Sequence, residues 1–130
     1  MTLSSVPITL SGKDYHLRYT YPDFKAMENL LGIGYLHFFR SEIFNSLTAM
    51  EVFLLRGLKK EMPDGGFVSV FSLDEIGREQ AGNLLWSYLQ DGGDVAYVIG
   101  KIVEAFTTTG PFKKKEKDDP EKEPPKNSMA

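Results

Sequence analysis

The chain of 130 residues has no cysteine, only two histidines and no long apolar run. Without cysteine, neither a disulfide scaffold nor a cysteine-based zinc site can form. The apolar runs are a few residues long, far short of the roughly 20 residues that cross a bilayer. No apolar segment follows a basic N-terminal region, so a secretory signal is not expected. These absences favour a cytoplasmic protein that has no contact with a membrane.

Sequence motifs of catalysis and of nucleotide binding are also missing. No Gly-x-Ser-x-Gly elbow accompanies the histidines, and no Walker loop is present. Gly32-Ile-Gly34 has only the first half of a dinucleotide-binding fingerprint and follows a predicted helix rather than a strand. We expect His16 to face solvent from a strand, and His37 to be a packing residue rather than a metal ligand. The sequence therefore predicts a protein that is not an enzyme and uses no cofactor or metal.

Charge is distributed unevenly along the chain, whose net charge is −3. Residues 1–110 hold nine Lys or Arg and thirteen Asp or Glu, a net charge of −4. Residues 111–130 hold six Lys and five Asp or Glu, a net charge of +1. Because binding to a phosphate backbone is driven by basic surface, the acidic N-terminal part argues against nucleic acid as a partner.

The first quarter of the chain predicts a β-hairpin that leads directly into a helix. Apolar residues alternate over residues 6–10 and again over residues 15–19, the pattern of half-buried strands. Gly12 supplies the left-handed conformation that a short hairpin turn needs. Pro22 then suits the first turn of a helix, which Gly32 can close.

Further helices are predicted from start signals. Thr48-Ala-Met-Glu51 and Ser72-Leu-Asp-Glu75 have the spacing of capping boxes, which predicts helices over about residues 48–60 and 73–90. Asp91-Gly-Gly-Asp94 ends the second of these and caps a last one. Lys59 and Lys60 would then lie favourably near a helix C-terminus.

The remaining segments are shorter. The last helix is amphipathic over about residues 95–106. Residues 33–39 predict a short irregular helix or a connector, and residues 67–71 predict a strand or a packed loop. The predicted fold is mainly α with a small N-terminal β-hairpin, an α+β domain over residues 1–110.

Beyond residue 110 the composition changes. Residues 113–126 contain no apolar residue, so they cannot bury enough surface to offset the entropy of ordering them. We predict a disordered Lys/Glu/Pro-rich tail over residues 111–130. It is either a solvated end that aids solubility or a flexible segment that binds a charged partner.

Two of the predicted helices carry more apolar residues than one buried face requires. Trp86 points nearly opposite to the apolar stripe of its helix, so it is either an interface anchor or packs under residues 67–71. Val52 and Leu55 lie opposite the other apolar residues of the helix over residues 48–60. That helix is therefore either central in the fold or shared with another subunit.

An aromatic group in the connector after the first helix raises the same question. Phe38 and Phe39 are its central members, and the group is either core or interface. Together with Trp86, Val52 and Leu55, these residues are our predicted partner-binding set. The partner is either another protein or a second copy of the chain.

Several short motifs follow one another within residues 6–107. They are Pro7-Ile-Thr-Leu10, Gly12-Lys-Asp-Tyr-His-Leu-Arg18, a Tyr21-Pro-Asp-Phe24 helix start that runs to Glu28-Asn-Leu-Leu-Gly32, and a later helix ending in Arg56-Gly-Leu58. In this order they resemble the tail assembly chaperones of long-tailed, siphovirus-like bacteriophages and prophages. Residues 67–71 have no counterpart in that pattern.

The resemblance implies a small, mainly helical, non-enzymatic protein of the host cell cytoplasm. Such chaperones bind the long tape measure protein, keep it soluble while tail tube subunits assemble around it, and are absent from the mature virion. Many also exist in a longer form, made by ribosomal frameshifting, whose extension recruits the tail tube protein. Lys113-Lys-Lys115 is compatible with a run of adenines on which a ribosome slips.

Two other functions stay open at this point. A structural virion component, such as a tail-completion or head–tail connector protein, differs from a chaperone in remaining in purified particles. The helices over residues 73–90 and 95–106, joined by a Gly-Gly turn, also have the arrangement of a helix-turn-helix regulator. The second helix, however, offers only Lys101 for contacts to base edges.

Overall fold

The described part of the chain, residues 4–110 of a computed structural model, contains four α-helices and one four-stranded antiparallel sheet. The strands are β1 (Val6–Leu10), β2 (Lys13–Leu17), β3 (Leu58–Glu61) and β4 (Phe67–Ser69), and the helices are α1 (Tyr21–Leu31), α2 (Leu47–Gly57), α3 (Glu75–Gln90) and α4 (Val95–Thr109). Two 3₁₀ turns, Tyr35–Phe39 and Ser41–Asn45, lie between α1 and α2. The predicted α+β class is confirmed. The predicted tail lies outside the described residues.

The N-terminal hairpin forms as the alternating pattern predicts. Leu10 pairs with Lys13 across a two-residue turn in which Ser11 and Gly12 both have positive φ, 52° and 79°. That geometry matches the right-handed twist of paired strands. The alternate residues of β1 are buried against the helices, and Leu17 of β2 joins them.

The sheet continues beyond the hairpin. Helix α2 ends at Gly57, and the chain passes without a loop into β3, which pairs with β2. Lys59 and Lys60 therefore lie in a strand, and the prediction that they interact with a helix C-terminus is wrong. The helix ends at Gly57 because the backbone pairs with β2 from that residue on: the N–H of Arg18 donates a hydrogen bond to the carbonyl of Gly57 at 3.0 Å. Residues 67–69 form β4, so the strand alternative applies to them.

The caps of two helices differ from the predicted ones. Ser46 caps α2 by accepting a hydrogen bond from the N–H of Ala49 at 3.1 Å, and Asp74 caps α3 by accepting one from the N–H of Gly77 at 3.0 Å. The predicted capping boxes at Thr48 and Ser72 are therefore wrong, because a better oxygen acceptor lies two residues away in each case. The caps at the α3–α4 junction form as expected, with the carboxylate of Asp94 accepting from Ala96.

One hydrophobic core lies between the sheet and the helices. Helix α2 is its centre, with seven of its eleven residues buried. Helix α4 covers β1, and α3 packs along α2. Among the described residues, no helix is long and apolar enough to cross a membrane.

Candidate protein-binding site

Helix α3 packs along α2, and few of its residues are buried in this contact. Its buried residues are Gly77, Ala81 and Leu85. A Cβ added at Gly82 would lie 2.5 Å from the carboxylate of Glu51 on α2, so the Glu51 side chain would have to shift. Small residues at a helix contact allow the two backbones to approach. Glu79, Asn83 and Trp86, which flank this contact, stay exposed.

An apolar patch lies beside the contact between α2 and α3. Trp86 is 50% exposed, and Leu47 at the start of α2 is 55% exposed. Both line a shallow depression of about 230 Å³ together with Leu85 and the polar residues Glu51, Glu79, Gly82 and Asn83. We call Leu47, Glu79, Asn83 and Trp86 the α3 surface. An exposed tryptophan beside an exposed leucine is the composition of an interface anchor.

Carboxylates surround this patch. Glu51 accepts a hydrogen bond from Nε of Arg78 at 2.7 Å, which fixes both half-buried side chains. Glu79 and Glu75 border a neighbouring depression with the same pair. The carboxyl of Asp74 at the start of α3 has a pKa below its ordinary value. The main cause is the hydrogen bond from the N–H of Gly77, and the second is the hydrogen bond from the hydroxyl of Ser72. The surface is therefore apolar at its centre and predominantly acidic at its rim.

The structure corrects the predicted partner-binding set. Val52 and Leu55 are 0% and 2% exposed, and Phe38 is 0% exposed. These three residues belong to the core, because α2 is surrounded by α1, α3, β3 and β4, and the ring of Phe38 packs 5.3 Å from that of Phe53. Phe39 is partly buried, with its ring 5.4 Å from that of Phe106. Trp86 alone of the five is largely exposed.

Leu47 is a member of the α3 surface that the sequence analysis missed. The predicted helix begins at about residue 48, so the prediction does not include Leu47 in it. The true cap at Ser46 makes Leu47 the first helical residue. An apolar residue directly after a Ser cap, where the first turn faces solvent, is the signal that could have identified it.

A second depression of about 610 Å³ lies beside the N-terminus of α1. Exposed Tyr21 and buried Phe24 contribute most of its apolar wall, and Thr109 and Gly110 close one end. Lys25 lies 5.9 Å from the ring of Tyr21. The sequence analysis identified Tyr21-Pro-Asp-Phe24 as a helix start but not as part of a binding site.

A buried ionic cluster adjoins that depression. Asp23 is 2% exposed, and its carboxylate accepts hydrogen bonds from Lys59 at 2.9 Å, from Arg56 at 3.1 Å and from both the N–H and the hydroxyl of Thr20 at 2.9 Å. The cluster joins α1, α2 and β3. Both carboxylate oxygens of Asp23 accept hydrogen bonds from within the protein. The cluster therefore stabilises the contact between these elements.

The histidines have different surroundings. His16 is half-buried, with Nδ1 3.0 Å from the hydroxyl of Ser5 and its ring 5.3 Å from that of Phe67. His37 is exposed, so its predicted role in packing is wrong. Within residues 4–110, no group of three His, Asp or Glu side chains could hold a metal ion.

Comparisons of the chain with protein-family models, with curated proteins and with solved structures found no match.

Proposed function

We propose that this protein is a tail assembly chaperone of a long-tailed bacteriophage, which binds the tape measure protein and keeps it soluble during tail assembly. The α3 surface carries the proposal: it joins a half-exposed Trp86 to an exposed Leu47 within an acidic rim. The order of short motifs between residues 6 and 107 gives the class of partner.

The α3 surface suits one amphipathic helix of a larger protein. Leu47 and Trp86 provide apolar contact area, and a partner helix would place its apolar face on them. Glu79 and the other rim carboxylates would meet basic residues beside that face. The many helical segments of a tape measure protein supply repeated copies of such a ligand, and covering their apolar faces would prevent them from associating with each other.

The net charge of −4 over residues 1–110 is consistent with this role. A complex with many chaperone copies on one long chain carries a large negative charge, and like charge keeps such complexes apart in solution. A longer form of the chain, if frameshifting produces one, would bring the tail tube protein to the same complex.

The test is co-expression of the tape measure protein with the chain, with soluble tape measure protein measured after centrifugation. The wild-type chain is expected to hold most of it in the supernatant. Trp86→Ala and Leu47→Ala together are expected to lower the soluble fraction at least fivefold. Tyr21→Ala removes an aromatic side chain that is 74% exposed elsewhere on the protein, and serves as the matched control.

Two outcomes would overturn the proposal. Tape measure protein that is equally soluble without the chain would remove the chaperone activity. Recovery of the chain in stoichiometric amounts from purified virions would assign it instead to a structural tail or connector component. A longer form would be visible in the same samples as a second band that reacts with antibody against residues 4–110.

A further inference from the structure

The four-stranded sheet has two edges, and its hydrogen-bond ladder identifies which backbone groups face outward. The N–H of Val70 donates a hydrogen bond to the carbonyl oxygen of Leu58 at 3.1 Å, and the N–H of Met62 donates one to the carbonyl oxygen of Gly66 at 2.7 Å. In antiparallel strands, bonded pairs alternate with unbonded ones, so Lys60 and Val68 form the bonded pair between these two. The N–H and C=O groups of Phe67 and Ser69 therefore point away from β3. By the same alternation, Pro7 and Thr9 point outward from β1.

The β1 edge is closed. Pro7 has no N–H to offer, which is a common protection of edge strands. The N–H of Thr9 donates to the hydroxyl of Tyr97 on α4 at 3.0 Å. Both outward positions of β1 are thus unable to donate a hydrogen bond to an added strand.

The β4 edge is open. Within residues 4–110, no backbone or side-chain group bonds the outward groups of Phe67 and Ser69. The ring of Phe67 turns back over the sheet, 5.3 Å from the ring of His16 and 5.8 Å from the guanidinium of Arg18. The β1 edge is therefore blocked by Pro7 and by the bond from Thr9 to Tyr97, whereas the outward backbone donors and acceptors of the β4 edge make no hydrogen bond within residues 4–110.

Two lysines, Lys13 and Lys60, lie near the open edge. Lys60 lies directly opposite Val68, which is 44% exposed, and both line a hollow of about 670 Å³ with Lys13 and Tyr15. Neither Lys13 nor Lys60 makes an ion pair within the described residues. Directly opposite residues share a face, so the other face next to the edge carries the ring of Phe67. One face therefore carries Lys13 and Lys60, whereas the other carries Phe67 with Glu61 directly opposite it.

We propose that the β4 edge binds an extended segment of a partner protein that has acidic residues at alternate positions. The segment adds a fifth strand through backbone hydrogen bonds to Phe67 and Ser69. Its carboxylates lie on the face of Lys60 and Lys13, and its other side chains lie on the face of Phe67. A second copy of the chain fits this edge poorly, because a two-fold pairing would bring the lysines of both copies onto one face without a carboxylate.

The test uses a ten-residue synthetic peptide of alternating Val and Glu, and a matched peptide of alternating Val and Lys. Titration into the full chain is followed by backbone amide NMR. The Val/Glu peptide is expected to shift the amide signals of Phe67 and Ser69 and to bind at least tenfold more tightly than the Val/Lys peptide. Lys60→Glu is expected to reverse that preference.

The variant Ser69→Pro removes one outward N–H without breaking a bond to β3, and is expected to weaken peptide binding at least tenfold. Ser69→Ala keeps the N–H and is the matched control. Equal binding by these two variants, or equal affinity for the two peptides, would overturn the proposal. So would a wild-type dimer in analytical ultracentrifugation that Ser69→Pro makes monomeric, because the occupant would then be a second copy.

This site is independent of the α3 surface. Trp86→Ala is expected to leave binding of the Val/Glu peptide unchanged. A failure of peptide binding at the β4 edge would therefore not contradict the proposed chaperone function, and a failure of the chaperone test would not contradict peptide binding.

Discussion

The ammonium group of Lys59 lies 2.9 Å from a carboxylate oxygen of Asp23, and the two side chains are only 9% and 3% exposed. Asp23 is in the first turn of α1 and Lys59 is in β3, so the pair joins segments 36 residues apart. Arg56 at the end of α2 bonds the second oxygen of the same carboxylate. One buried anion thus orients three elements of secondary structure.

Replacing Asp23 by Asn is expected to lower the free energy of unfolding by about 3–5 kcal/mol, because it leaves Lys59 and Arg56 buried without a counter-charge. Urea denaturation measures the change. Glu42→Gln is the control, since its pair with Arg40 is 3.6 Å apart and more than half exposed. That variant is expected to change stability by less than about 1 kcal/mol. Equal effects of the two variants would show that the buried cluster does not stabilise the fold.

Gly57→Ala is expected to destabilise the protein for a steric reason. A Cβ at Gly57 would overlap the ring of Tyr19, which is fully buried. Overpacking of this kind costs about 1–3 kcal/mol. Gly100→Ala, in α4, has no atom within 4 Å of the new Cβ and is expected to be neutral or to stabilise by up to about 1 kcal/mol. Thermal unfolding of both variants compares them, and a wild-type melting temperature for Gly57→Ala would contradict the packing described.

Stability should fall at high pH because of Tyr19. Burial, and next the negative charge of Asp23, raise the pKa of Tyr19 well above its ordinary value of 10.0. The unfolded chain therefore loses this proton first as the pH rises through 10.0. The contribution of Tyr19 is complete below that pH, and the free energy of unfolding declines above it.

Tyr19→Phe is expected to reduce this alkaline decline. At neutral pH it is expected to cost about 1–3 kcal/mol, because the hydroxyl of Tyr19 donates to the buried carbonyl of Phe53 at 2.7 Å. Tyr21→Phe changes an exposed tyrosine and should keep the wild-type pH dependence. Denaturation curves on both sides of pH 10.0 test this, and parallel curves for Tyr19→Phe and the wild type would refute the assignment.

Tyr97→Phe is expected to open the β1 edge at one position. Loss of the bond to the N–H of Thr9 should cost about 0.5–1.5 kcal/mol and accelerate hydrogen exchange of that amide. The amide of Ile8, which faces β2, is the internal control and should remain protected. Unchanged exchange at Thr9 would mean that the hydroxyl of Tyr97 does not protect this edge in solution.

The sequence predicted those features of the fold that depend on local chemistry. The hairpin follows from alternation around Gly12, and α1 ends at Gly32 in the left-handed conformation that the sequence indicates. The junction of α3 and α4 at Asp91 and Asp94 is likewise set by short-range caps. In each case the stabilising contacts lie within a few residues of each other, so the pattern alone is sufficient.

The candidate site was predicted less well. Exposure of Trp86 follows from its position opposite the apolar stripe of α3, and helical periodicity is enough to find it. Val52, Leu55 and Phe38 could not be placed in this way, because periodicity reports how many sides of a helix are apolar and not how many neighbours surround it. Their burial depends on the helices and strands that surround α2 and on the packing of aromatic rings from distant segments.

By itself the sequence therefore determined the type and order of most elements, because hydrogen bonds and caps between near neighbours are encoded locally. The tertiary structure alone decided that the chain leaves α2 at Gly57 to form β3, that the carboxylate of Asp23 is buried and bonded to Lys59 and Arg56, and which sheet edge stays open. Each of these depends on residues more than thirty positions apart, such as Asp23 with Lys59 and Thr9 with Tyr97. Contacts of that range form only when the whole chain packs.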